Sequence, residues 1–172
     1  MTTYADLVAA HLTEPTPESL HALRVAVRAA PGFDPDLRVR ERAERLLAAD
    51  DHDGAVQVVE ASMPGSIFSP GAHALLATAF ERGGRSADAS RHARLARAAL
   101  DSILGTGDGS RERPWSVLRV SDEYDVVDSL GTRPTSQSLV RDGERAIDVI
   151  TCADGRQLHF DVTSVLRPAR GG

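Results

Sequence analysis

The apolar positions of this chain change period once. Up to about residue 104 they recur at helical spacing, in segments broken by turn signals. After Gly105, Val, Ile and Leu fall into short alternating runs separated by Asp-Gly pairs. Thr3 is a candidate cap for a first helix, YADLVAAHL. Thr16-Pro17-Glu18 is a stronger start: a capping hydroxyl, a proline whose fixed φ suits the first helical position, and an acid at the positive end of the helix dipole. That helix runs through LHALRVAVRAA to Pro31-Gly32. Asp34-Pro35-Asp36 is expected to open a third over LRVRERAERLLAA, and the turn Asp50-Asp51-His52-Asp53 a fourth that reaches Met63. Ser69-Pro70 opens a fifth that stops at Gly83-Gly84, and Ser86 caps a long sixth that ends near Leu104.

Downstream, WSVLRV (115–120) reads as a strand and Ser121 as the cap of a helix, DEYDVVDSL, closed by Gly131. Residues 136–141, 145–152 and 156–163 read as three strands, joined by the hairpin turns Asp142-Gly143 and Asp154-Gly155. Val149, Leu158 and Phe160 are expected on the covered face of the sheet. The fold class is therefore α+β: five to seven antiparallel helices, then a small antiparallel sheet of order β-α-β-β-β packed on them. Four units follow: helices over 1–104, a Gly-rich linker at 105–114, the sheet unit at 115–165 and a tail at 166–172. Alanine marks the same boundary, because 22 of the 25 Ala residues precede residue 104.

The helical part carries a periodicity of its own. Ala55 and Ala89 are 34 residues apart, and that register also pairs Ala43 with Ala77, Leu46 with Phe80, Val59 with Ala93 and Ser62 with Ala96. Small residues where helices approach closely, with a bulky one filling the gap, are what stacked helical hairpins need. LLATAFERGGRSADASRHARLA (75–96) resembles a tetratricopeptide repeat, although Ala77 and His73 replace the usual Gly and Trp. So short a stack cannot cover its own end, so the last helix is expected to pack against the sheet.

Six segments carry a wider resemblance: ALRVAVRAAPGFDPD (22–36), DSILGTGDGS (101–110), VLRVSDEYDVVDSLG (117–131), QSLVRDG (137–143), IDVI (147–150) and LHFDV (158–162). In this order and spacing they resemble a bacterial family catalogued as a domain of unknown function, with a helical half preceding a sheet half. The resemblance implies this architecture and brings no activity with it.

Composition narrows the chemistry. All 20 basic residues are Arg, which removes Schiff-base lysines and the phosphate-loop lysine. One Cys excludes an internal disulfide framework and a multi-cysteine zinc site. The formal charge is −5, spread as 11 Arg against 14 acids before residue 105 and 9 against 11 after it, so neither half suits nucleic acid. The start MTTYADLVAAHLTEP has no basic leader and no long apolar run, from which a cytoplasmic protein without a membrane partner is expected.

No catalytic cluster, metal site or cofactor motif stands out. The candidates are binding groups. His73 and His92 fall on neighbouring helices and face one another if both point inward. Arg91 and Arg94 belong to a basic stripe with Arg85 and Arg97, suited to an acidic peptide or a carboxylate. Asp108, in the GTGDG turn, could order that turn or touch a cation. Glu123 and Tyr124 at a helix start, with Gln137 on the next strand, could form acid-base equipment, or else a helix-start acid and an aromatic anchor. Two functions follow. The first is a non-enzymatic adaptor holding a protein or peptide segment in the helical groove or at its junction with the sheet. The second is a small-molecule-binding protein or enzyme at that junction, with His73, His92, Asp108, Glu123, Tyr124 and Gln137 around one pocket. A homo-oligomer is the third arrangement considered.

Overall fold

A computed structural model describes residues 4–14 and 16–166; the proposed Thr3 cap and the Gly171-Gly172 end lie outside the described residues. The helices are α1 (Tyr4–Thr13), α2 (Pro17–Ala29), α3 (Val39–Ala48), α4 (His52–Glu60), α5 (Pro70–Arg82) and α6 (Ser86–Leu104). The start of α2 follows its signal closely. Thr16 Oγ1 accepts from Ser19 N at 3.1 Å and Ser19 Oγ accepts from Thr16 N at 3.0 Å, with Pro17 in the first turn. Asp51 caps α4 through Gly54 N at 2.9 Å, and Ser69 caps α5 through Ala72 N at 3.2 Å. The expected start of the third helix at 34–36 is corrected. There Asp34 turns its carboxylate on Asp36 N and Arg38 N, and Leu37 takes a φ of 47° while burying its side chain, so α3 begins only at Val39.

The second part holds β1 (Trp115–Ser116), α7 (Val120–Ser129), β2 (Pro134–Asp142), β3 (Arg145–Cys152), β4 (Gln157–Asp161) and the single turn α8 (Thr163–Leu166). The four strands lie in the order β1-β4-β3-β2. β3 pairs antiparallel with β2 and β4 across the two Asp-Gly turns. The sheet is nevertheless mixed and not antiparallel as expected, because β1 pairs parallel with β4, Trp115 facing Phe160. Tight turns announce only antiparallel neighbours, whereas a parallel pair is made by distant segments. The first strand also stops four residues short of Val120. Asp122 Oδ2 accepts from Leu118 N (3.2 Å) and Arg119 N (3.0 Å), drawing the chain into α7 before Ser121 could act as the cap.

Three apolar cores result among the described residues. One lies between α3, α4, α5 and the start of α6, with Leu37, Ala43, Leu47, Val59, Leu76 and Phe80. The second lies under the sheet; Trp115, Val126, Ile150 and Phe160 meet Leu100 and Ile103 from the last turns of α6, so that helix does pack against the sheet. The third is small: Leu23, Val27, Phe68 and Leu118 hold α2 to the rest. Leu158 and Phe160 face the helices as expected, but Val149 pairs with His159 on the opposite face, since alternation puts Ala146, Asp148, Ile150 and Cys152 inward.

Polar clasps join the two parts. Arg40 meets Asp125 at 2.7 Å, and the other oxygen of that carboxylate accepts from Gly71 N at 2.9 Å. Arg119, wholly buried, lies 4.6 Å from the centre of the Phe33 ring, donates to Asp34 O at 2.9 Å and bonds Gly65 O. Arg24 donates to Ser116 O at 2.9 Å. Residues 105–114 fold back on themselves. Asp108 N and Gly109 N both donate to Arg113 O, and Gly109, at φ 76°, lies against the Trp115 ring where a Cβ would collide.

Candidate functional site

The proposed binding residues separate into three places. His73 and His92 do meet, with their Nδ1 atoms 3.1 Å apart. His73 Nε2 lies 2.8 Å from Ile67 O, which accepts its proton, so His73 Nδ1 is the acceptor and His92 Nδ1 the donor. Burial holds His73 down to about 4, against the opposing effect of the Ile67 carbonyl, so the ring is neutral near pH 7. His92, stacked 5.2 Å from Phe80, is also lowered by burial and then by Arg91. The pair borders a cavity of about 360 Å³ between α5, α6 and the end of α4, closed on one side by Val8 of α1. Met63, Ile67, Leu76 and Leu95 give it apolar walls; Glu60, Arg91 and the two imidazoles are its polar groups. Within the basic stripe, Arg85 and Arg97 are paired with Asp88 and Asp101. Arg91 and Arg94 are exposed and, among the described residues, in no ion pair.

Glu123, Tyr124 and Gln137 form a second cluster, joined by Asp148. One amide nitrogen bridges two carboxyl groups: Gln137 Nε2 donates to Glu123 Oε2 at 3.1 Å and to Asp148 Oδ2 at 2.8 Å. Gln137 Oε1 accepts from the Tyr124 hydroxyl. Glu123 is wholly buried, and burial, then the neighbouring Asp148 and Asp122, push it up to about 9. Glu123 therefore holds a proton at neutral pH. This is more than a helix-start acid. Tyr124, for its part, is 37% exposed and not an anchor beneath the sheet. Asp148 escaped the sequence reading; its one signal is parity, a carboxylate on the inward side of an alternating strand.

Asp108 stands apart from both clusters. It accepts from Ser110 N at 3.0 Å and lies 3.6 Å from Arg113, ordering the Gly-rich turn. The single pocket expected of His73, His92, Asp108, Glu123, Tyr124 and Gln137 is therefore not assembled. Cys152 is buried in the sheet core, and its thiol is pushed up by burial. No group of three or more His, Cys, Asp or Glu is placed to hold a metal among the described residues.

A larger groove of about 710 Å³ runs between α2, the C-terminal end of α6 and β1. Leu20, Phe68 and Ala98 give it an apolar floor, and His21, Arg24, Asp101 and Thr106 its polar walls. Phe68 and Ala98 also line the cavity beside the histidines, so groove and cavity adjoin along α6. Among the described residues, no helix is long and apolar enough to cross a membrane. No family model, no curated protein and no solved structure matches the chain.

Proposed function

We propose that this chain is a non-enzymatic adaptor that holds a segment of a protein partner where its helices meet its sheet. The observation that carries the reading is the groove along α6. It has an apolar floor, mixed polar walls and a lengthwise extension through the adjoining cavity to the exposed Arg91, with Arg94 one turn further along the same helix. An extended segment with an apolar anchor and neighbouring acidic side chains is complementary to it. The tetratricopeptide-like character of α3–α6 belongs to the same proposal. Packing of α3 on α4, α4 on α5, α5 on α6 and α3 on α5 supports stacked hairpins. Ala55 and Ala89 are both buried, whereas Val59 is buried and Ala93 exposed, which favours stacking over a strict 34-residue repeat. Kinship with the bacterial family of the same helical-then-sheet order is part of this reading.

Selection of a random peptide library on the intact protein tests it. Peptides joining an apolar anchor to acidic residues are expected. Leu20→Glu should abolish their binding, and Arg91→Ala with Arg94→Ala should weaken it about tenfold, in line with one or two charge-assisted contacts. Selected peptides indifferent to both changes, or no enriched pattern, would overturn it.

A second reading, an enzyme or small-molecule binder, rests on Glu123, an acid that keeps its proton at neutral pH beside a phenol. Neither the cavity nor the groove is lined by Glu123, Tyr124 or Gln137, which places the adaptor reading first.

A further inference from the structure

We infer that the cavity beside His73 and His92 binds a small monocarboxylic acid with an apolar body of about six to ten carbons, its carboxylate on Arg91 and His92. The inference goes beyond the adaptor reading, since it concerns the cavity beside the two histidines and needs no protein segment in the groove. The space is about 360 Å³, and its walls are side chains of Val8, Met63, Ile67, Leu76 and Leu95. Such a space suits an aliphatic or compact branched body, and its mostly apolar walls offer few partners for the hydroxyls of a sugar or nucleotide.

The polar end is specific. His73 spends both ring nitrogens internally, one on Ile67 O and one on His92. Among the described residues His92 spends only Nδ1, so its Nε2 is the ring atom left to serve a ligand. Once protonated there, His92 donates through Nε2 while keeping its bond to His73. Arg91 supplies a permanent positive charge beside it and is in no ion pair among the described residues. The charges facing His92 are Arg91, which opposes its protonation, and Glu60 and Asp88, which favour it. An incoming carboxylate adds to the favouring side, so binding takes up one proton from solution, and Nε2 carries it. Neutral His73, with its proton on Nε2, stays the acceptor throughout.

Titration of the intact protein with octanoate, followed by calorimetry and by the ring resonances of His92, tests the site. Octanoate is expected to bind at least tenfold more tightly than octanol, and more tightly at pH 6 than at pH 8, with uptake of a proton. Arg91→Ala, an exposed change that cannot unfold the chain, should weaken octanoate about tenfold and leave octanol unchanged. N-acetyl-leucine is the second arm: tighter binding than octanoate assigns the site to branched, acylated amino acids, and weaker binding assigns it to straight-chain acids. Equal binding of octanoate and octanol, or no effect of Arg91→Ala, overturns the proposal. Octanoate binding without any selected peptide would leave this site standing while the adaptor reading fell, and the reverse outcome would do the opposite.

Discussion

Glu123 is buried beside two other acids, Asp148 and Asp122. Burial is the main reason its proton is held, with Asp148 and Asp122 adding to it, and the folded value of about 9 stands against 4.5 for an exposed Glu. The native state thus binds this proton more tightly than the unfolded chain. Its contribution to stability is complete below pH 4.5 and is lost as pH rises toward 9. Asp122, raised to about 6 by burial, acts in the same direction over a lower range. His73 acts oppositely: lowered to about 4, it contributes above pH 6.5 and loses that contribution as pH falls. Between pH 7 and 8.5 only Glu123 of these three is still titrating between its two values. Urea unfolding is expected to weaken there by up to about 1.4 kcal/mol per pH unit, the slope of one proton. Glu123→Gln should flatten that slope and stabilise the protein by about 1–3 kcal/mol at pH 8, since the amide can still donate to Asp148. A slope unchanged in the variant would show that Glu123 titrates normally. Little of this was legible in the sequence. Glu123 and Gln137 were visible as candidates, but the partner that sets their chemistry, Asp148, becomes their neighbour only through the pairing of β2 with β3.

Several helix starts and both hairpins were legible from local signals, but Asp34, Ser86 and Ser121 carry the same signals and cap no helix. Thr16, Asp51 and Ser69 each cap the helix that follows, and β3 has the predicted bounds because Asp-Gly turns enclose it. Where an element depends on a distant partner, the sequence misleads. Trp115–Val120 alternates like a strand, yet only Trp115 and Ser116 find a neighbour in β4 before Asp122 pulls the chain into α7. Two changes separate these cases. Asp51→Ala removes one local cap and should cost about 1 kcal/mol, lowering the melting temperature by about 2–4 °C. Asp125→Ala removes a pair that α3 and α5 both use, through Arg40 and Gly71 N, and leaves the half-buried Arg40 without its counter-charge. A larger loss, about 2–4 kcal/mol, is expected in chemical denaturation. Equal losses would mean that the clasp contributes no more than a cap.

For the whole molecule, Arg119 is the residue on which the two parts converge. From the start of α7 it reaches Phe33, Asp34 and Gly65, all in the helical part. Sequence reading passed over it, because an Arg in an Arg-rich chain gives no sign of being wholly buried. Arg119→Ala should cost about 3–5 kcal/mol, since it empties a large volume, strands two carbonyls and removes one of the positive charges facing Asp122. It should also separate the unfolding of the sheet, followed through Trp115 fluorescence, from loss of helical circular dichroism. Coincident transitions in the variant would show that the apolar cores alone keep the two parts cooperative.

The parallel pairing of β1 with β4 bears on how the protein is made. Of the four described strands, the first in sequence waits for the fourth, with which it pairs. Until β4 emerges, Trp115 and the end of α6, with Leu100 and Ile103, have no finished surface to cover them. During synthesis the helical part can settle early while its apolar end remains open, which makes that end the stretch a nascent-chain chaperone would meet.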